Sequence, residues 1–191
     1  MTEPRNALKD GDALLVVDVQ NDFCPGGALA VDDGDAVVPV LNRWIQAARE
    51  RNVPIYASRD WHPRRHVSFE PSGGPWPPHC VQDTAGAAYH PDLELDDTVV
   101  KVTKGTRFDK DQNSVFDETG FATQLGRDGI RRLWIGGLAQ DVCVRATVLD
   151  AVQERFKVQV ILDATRPVTE EGGREAVEEM RQAGAVLHQT D

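Results

Sequence analysis

Cysteine is scarce in this chain of 191 residues, with only Cys24, Cys80 and Cys143. An odd, scattered set with no CxxC pair excludes a disulfide framework and a thiolate zinc site. Long apolar runs are missing too. No stretch approaches the ~20 residues that a membrane span requires, and the N-terminal MTEPRNALKDGD has no apolar core of the secretory type. Positive charge is outnumbered, 21 Lys and Arg against 31 Asp and Glu, for a formal charge of −10. That balance disfavours nucleic acid and anionic membranes as partners. The Gly136–Gly137 pair is not part of a GxGxxG, so a dinucleotide site is not indicated. Repeats and low-complexity tracts are also lacking. What is present, 40% hydrophobic and 27% charged residues, suits one globular domain over 1–191, reduced and cytoplasmic.

Short apolar runs alternate with helix-like segments. Ala13–Val19 is a near-continuous apolar run, the form of a strand buried on both faces. Across Asp35–Asn52, Val37, Val40, Leu41, Trp44, Ile45 and Ala48 recur at helical spacing, with Asp35 as N-cap. Strands follow at Val53–Ser58 and Asp97–Thr103, then a short helix at Phe121–Gly129 and a strand at Arg131–Gly137. A helix at Asp141–Phe156, a strand at Lys157–Ala164, a helix at Thr169–Gly184 and a strand at Ala185–Thr190 complete the series. This order predicts an α/β fold, a three-layer sandwich with a mainly parallel sheet of about six strands and helices on both faces. Ligands in such folds bind beyond the carboxyl ends of the strands. Asp18 ends the first strand, Asp60 and His62 follow the second, Lys104 the third and Cys143 the fourth. The long Trp61–Thr98 segment, rich in Pro, Gly and His, has the length of a functional or disordered loop.

That loop concentrates possible ligands. Asp60, His62, His66 and His79 fall within about twenty positions and include three of the five histidines. A carboxylate with imidazoles suits zinc, iron or manganese; the plainer alternative is a solvated loop whose histidines cap turns. Asp18 interrupts a buried run, so it is either a paired structural carboxylate or a general base with a pKa raised by desolvation. Lys104 is distinguished only by its place after a strand. Cys143 is either a small buried hydrophobe, as free cysteines usually are, or a nucleophile. A helix start would lower its thiol pKa, a nearby lysine would lower it further, and unpaired backbone N–H groups there could hold an oxyanion.

Five segments, in order, carry a resemblance: DVQNDFCPGGALAV (Asp18–Val31), RDWHPRRHVSF (Arg59–Phe69), WPPHCVQDTAGA (Trp76–Ala87), VTKGTRFD (Val102–Asp109) and GGLAQDVCVRATVLDA (Gly136–Ala151). Together they resemble the nicotinamidases (pyrazinamidases) of the isochorismatase-like hydrolases over essentially the whole chain. The resemblance implies a cysteine amidohydrolase that converts nicotinamide to nicotinate and ammonia through a thioester, and pyrazinamide to pyrazinoate. Its triad would be Cys143, Asp18 and Lys104. The backbone N–H groups of Ala139 and Cys143 would form the oxyanion hole, next to a cis Leu138–Ala139 peptide. Asp60, His62 and His79 would hold one divalent ion, zinc first and iron or manganese otherwise, with His66 a further ligand in some members. Phe23, Trp76 and Leu138 would contact the substrate. The partner is thus a small amide; homo-oligomers are frequent in the superfamily, but no residue here selects an oligomeric state. GTRFDKDQNSVF (Gly105–Phe116) departs from the commoner family pattern, as DSYSAF is expected near Asp111–Phe116. Rival readings are a metal-free relative acting on an N-carbamoyl or ureido substrate, a vinyl-ether hydrolase, and a non-catalytic module on the same fold.

Overall fold

The computed structural model describes residues 1–190. Its six strands are β1 (Asp12–Val17), β2 (Ile55–Asp60), β3 (Val100–Lys104), β4 (Arg132–Leu138), β5 (Lys157–Arg166) and β6 (Val186–His188). They form one sheet in the order β3-β2-β1-β4-β5-β6, with every pairing parallel. Five helices accompany them: α1 (Pro4–Ala7), α2 (Val37–Glu50), α3 (Phe121–Arg127), α4 (Arg145–Gln153) and α5 (Glu170–Gln182). The α/β sandwich with a six-stranded parallel sheet is therefore as expected from the sequence.

β1 shows why both faces are covered. Leu14 and Val16 join a core cluster with Leu41, Trp44 and Ile45 of α2, while Ala13, Leu15 and Val17 join another with residues of α3, α4 and α5. Alternation along a strand sends neighbouring side chains to opposite faces, so an unbroken apolar run needs a helical layer on each side. Each large aliphatic side chain buried this way contributes about 1.5–3 kcal/mol. Trp44 stacks at 4.7 Å on Trp134 of β4 and ties α2 to the middle of the sheet.

From β1 the chain winds to one side through β2 and β3, then returns to β4 and winds to the other through β5 and β6. The reversal lies between β1 and β4, the place where doubly wound sheets open a crevice. Gly137 allows the two strands to meet there. It sits at φ +134°, and a Cβ on it would lie 2.0 Å from the Val17 carbonyl oxygen. No helix among the described residues is long and apolar enough to cross a membrane.

Some boundaries differ from the sequence reading. Asp35 does not cap α2: it lies in a 3-10 turn, Gly34–Ala36, and the helix starts at Val37 with no side-chain cap. Pro39 tolerates that start because first-turn N–H groups have no helical acceptor. The segment expected as one helix from Asp141 is two pieces, a π turn over Gln140–Val144 followed by α4. Thr169 caps α5, accepting from Gly172 N at 3.0 Å. The Trp61–Thr98 segment holds two short 3-10 turns, Glu70–Ser72 and Ala85–Ala87, and is well tied: His62 N donates to Cys80 O at 2.8 Å, and Trp76 N to Ser68 O at 3.0 Å.

Candidate active site

Four adjacent strand ends each supply one chemical group. In sheet order these are Lys104 from β3, Asp60 from β2, Asp18 just past β1, and Cys143 in the π turn after β4. Neighbouring strands are about 4.8 Å apart, so a group on β3 must reach across β2 to meet β1. Lysine has the stem to do so. Its Nζ lies 2.6 Å from Asp60 Oδ1, 2.8 Å from Asp18 Oδ2 and 3.6 Å from Cys143 Sγ. The residue is 1% exposed. Acceptor atoms of Asp18, Asp60 and Cys143 all lie within 4.8 Å of one another.

The charges do not balance locally, since one ammonium faces two buried carboxylates. Burial alone would lower Lys104, but Asp18, Asp60 and Cys143 raise it well above the usual lysine range, so it stays protonated. Burial would also raise Asp60; Lys104 first, then His62, outweigh that and hold its carboxyl low. Asp18 is raised, by burial above all, with Lys104 opposing and the Asp60 charge adding. One carboxylate is thereby fixed as an anion and the other poised to take a proton. The thiol departs from the sequence expectation. Burial pushes Cys143 well above the ordinary cysteine range, and Lys104 opposes this without reversing it. A buried thiol facing a carboxylate is a proton donor waiting for its base, not a resting thiolate.

Asp60 also faces the histidines. Ligand atoms of Asp60, His62 and His79 lie within 4.8 Å of one another. His62 Nδ1 donates to His79 O at 3.1 Å and His79 Nδ1 to Pro77 O at 2.8 Å, which fixes each tautomer and frees each Nε2. His62 Nε2 is buried with no hydrogen-bond partner and lies 3.9 Å from Asp60 Oδ1. A buried orphan nitrogen aimed at a carboxylate fits a divalent cation. His66 is different: its Nδ1 is bonded to Ser68 Oγ at 2.7 Å and its Nε2 donates to Lys110 O at 3.2 Å. Both its nitrogens are engaged, although its ring stacks 4.2 Å from His62. Phe69 packs edge-on against all three imidazoles. Gly105, at φ +68°, lets the chain pass His62, since a Cβ there would lie 2.7 Å from Nε2.

A pocket lies over this cluster. Phe23, Trp76, Asp60, His79, Ala139 and Cys143, each singled out in the sequence, line it. The Leu138–Ala139 peptide is cis. Leu138 is a correction: its side chain is fully buried in the core cluster that holds Phe23 and Val37, and it does not line the pocket. Sequence reasoning did not single out Leu29, Val31, Val142 and Val168 as wall residues, whereas Asp111 and Asn113, also on the walls, belong to the Gly105–Phe116 segment that departs from the family pattern. It also missed two supports. Gln20 grips Asp60 through both its backbone groups, at 2.8 Å each, and the Ser58 hydroxyl lies 2.7 Å from Asp18 Oδ1. The available signal was a polar residue in or just past a buried strand, two before Asp60 or two after Asp18.

Comparison with known proteins agrees with this geometry. The isochorismatase domain profile matches residues 12–191. The chain belongs to the isochorismatase family. Within the family it is 40% identical to the nicotinamidase of Escherichia coli, over 92% of this chain and 93% of that one. It is 36% identical to the nicotinamidase/pyrazinamidase of Mycobacterium tuberculosis, over 92% and 97%. Among solved structures, the pyrazinamidase of Pyrococcus horikoshii in complex with zinc superposes with a TM-score of 0.91 at 43% identity, covering 94% of this chain and 99% of that one.

Proposed function

We propose that this chain is a cysteine amidohydrolase that converts nicotinamide to nicotinate and ammonia, and accepts pyrazinamide. The observation that carries the reading is the Lys104 ammonium within 3.6 Å of Asp60, Asp18 and Cys143 together, beneath a pocket lined by Phe23 and Trp76. The similarity to nicotinamidases at 36–40% identity over nearly full length supports it.

In this mechanism Asp18 takes the Cys143 proton as sulfur attacks the carboxamide carbon. Lys104 offsets the negative charge that thiolate and Asp60 share, so the proton transfer does not leave two uncompensated anions in a dry site. Backbone N–H groups of Ala139 and Cys143 receive the tetrahedral oxyanion. The C–N bond then breaks as Asp18 returns the proton to nitrogen, and ammonia leaves a thioester on Cys143. Water, deprotonated by Asp18, attacks that thioester; the C–S bond breaks and the proton passes to sulfur, regenerating the thiol. Phe23 and Trp76 sandwich the ring and exclude water. Asp60, His62 and His79 would hold a divalent ion, zinc by donor set, which supplies a Lewis-acid anchor for the ring nitrogen. The engaged nitrogens of His66 suit a supporting role beside that ion.

Ammonia release from nicotinamide by wild type and Cys143→Ala tests the reading, before and after treatment with a chelator. Wild type is expected to turn over, Cys143→Ala to lose at least ~10³-fold in kcat/KM, and chelation to lower activity until zinc is restored. Absence of ammonia from metal-replete wild type overturns the proposal.

A further inference from the structure

We propose that Ser58 is a positioning residue for the Asp18 carboxylate: its hydroxyl commits one carboxylate oxygen and leaves the other for the reaction. The inference rests on the reading of Asp18 as the base. Ser58 is fully buried in β2, two residues before Asp60, and it does not line the pocket. It still touches Asp18 in three ways. Asp18 N donates to Ser58 O at 3.2 Å and to Ser58 Oγ at 3.3 Å, and Ser58 Oγ lies 2.7 Å from Asp18 Oδ1.

A serine hydroxyl carries one proton and accepts with its lone pairs. With the Asp18 N–H directed at the Ser58 oxygen, the hydroxyl proton points to Oδ1. That oxygen is then an occupied acceptor. Oδ2 has no aligned hydrogen bond, although it lies 2.8 Å from the Lys104 ammonium as an ion pair. The two oxygens of a carboxylate are otherwise equivalent, and rotation about the terminal Cβ–Cγ bond is soft. Ser58 removes the equivalence. It also restrains the backbone of Asp18, which sits at φ +47°, a region that costs a non-glycine residue energy. A serine that only satisfied a buried carboxylate would affect folding alone. One that also aims the carboxylate affects the rate at bound substrate, while binding through the pocket walls is untouched.

The test compares kcat and KM for nicotinamide, bound zinc per chain and Tm in Ser58→Ala, Ser58→Thr and Ser58→Cys. Loss of a hydrogen bond to a charged group should lower kcat of Ser58→Ala about 10- to 100-fold, with KM within about twofold and zinc content unchanged. Ser58→Thr restores the hydroxyl and most of kcat. Ser58→Cys, close in size but a weak donor, stays slow. The inference is overturned if Ser58→Ala keeps kcat within about twofold, if its loss lies in KM or zinc content, or if Ser58→Cys matches wild type. It is equally overturned if Ser58→Thr has the Tm of wild type and the rate of Ser58→Ala. Should wild type release no ammonia, the substrate reading fails separately. Iodoacetamide alkylation of Cys143 then decides for Ser58: slower in Ser58→Ala and recovered in Ser58→Thr supports it, and equal rates refute it.

Discussion

Two clusters of buried charge sit at opposite ends of the same sheet and are satisfied in different ways. At the amino ends, Asp12 collects Arg132 Nε at 2.8 Å, Arg132 Nη2 at 2.5 Å, Trp134 Nε1 at 3.1 Å and Lys9 N at 2.9 Å. One anion meets one guanidinium, and donors surround it. At the carboxyl ends, two carboxylates share one ammonium, Asp18 Oδ2 and His62 Nε2 lack aligned hydrogen bonds, and a thiol completes the group. Both clusters join elements distant in sequence. Only the second leaves lone pairs and a proton position open, and an open valence in a buried site is what chemistry requires.

The largest expected effect comes from Lys104→Met, which keeps the stem and removes the cation. Asp18 and Asp60 are then buried without the ammonium they share, so activity is abolished and stability falls by about 3–5 kcal/mol at neutral pH. Urea denaturation and ammonia release measure the two losses. Asp12→Asn separates the ends of the sheet: stability drops by about 1–3 kcal/mol while kcat and KM stay at wild-type values. A fall in kcat there would show that the two clusters are coupled through the sheet. The smallest effect concerns His188, near the amino-end cluster and stacked on Trp134 at 4.8 Å. Burial first, then the charge of Arg132, lowers its pKa below the usual 6.5. Protonation is therefore easier in the unfolded chain, and the stability linked to this group is complete above about pH 6.5 and lost as pH falls through the lower folded value. His188→Gln should flatten the Tm profile below about pH 6.5 and leave kcat at its wild-type value.

The same contrast explains what the sequence could convey. β1 was legible because a strand covered on both faces must be apolar throughout, and Asp18 stood out against that run. Lys104 carried no such mark. Its meaning lies in reaching Asp60 and Asp18, 44 and 86 positions away along the chain, and local pattern does not encode that pairing. Asp60, His62, His66 and His79 stood out together by composition and spacing, whereas the bonds that engage His66 depend on where Lys110 and Ser68 come to rest. The π turn at Cys143 escaped periodicity because one wide turn hardly disturbs a helical pattern. At that thiol, burial outweighs the lysine that the sequence reading expected to lower it. Ser58 and Gln20 looked like ordinary polar residues; their partners lie 40 positions away on a neighbouring strand or strand end.

The open cluster is claimed to work through a covalent step at Cys143, and acid-quenched mass spectrometry of the enzyme turning over nicotinamide tests that most directly. One nicotinoyl group per chain is expected, located on Cys143 and absent from Cys24 and Cys80. Steady turnover with no acyl adduct in any quenched sample, and undiminished ammonia release from Cys143→Ala, would contradict it.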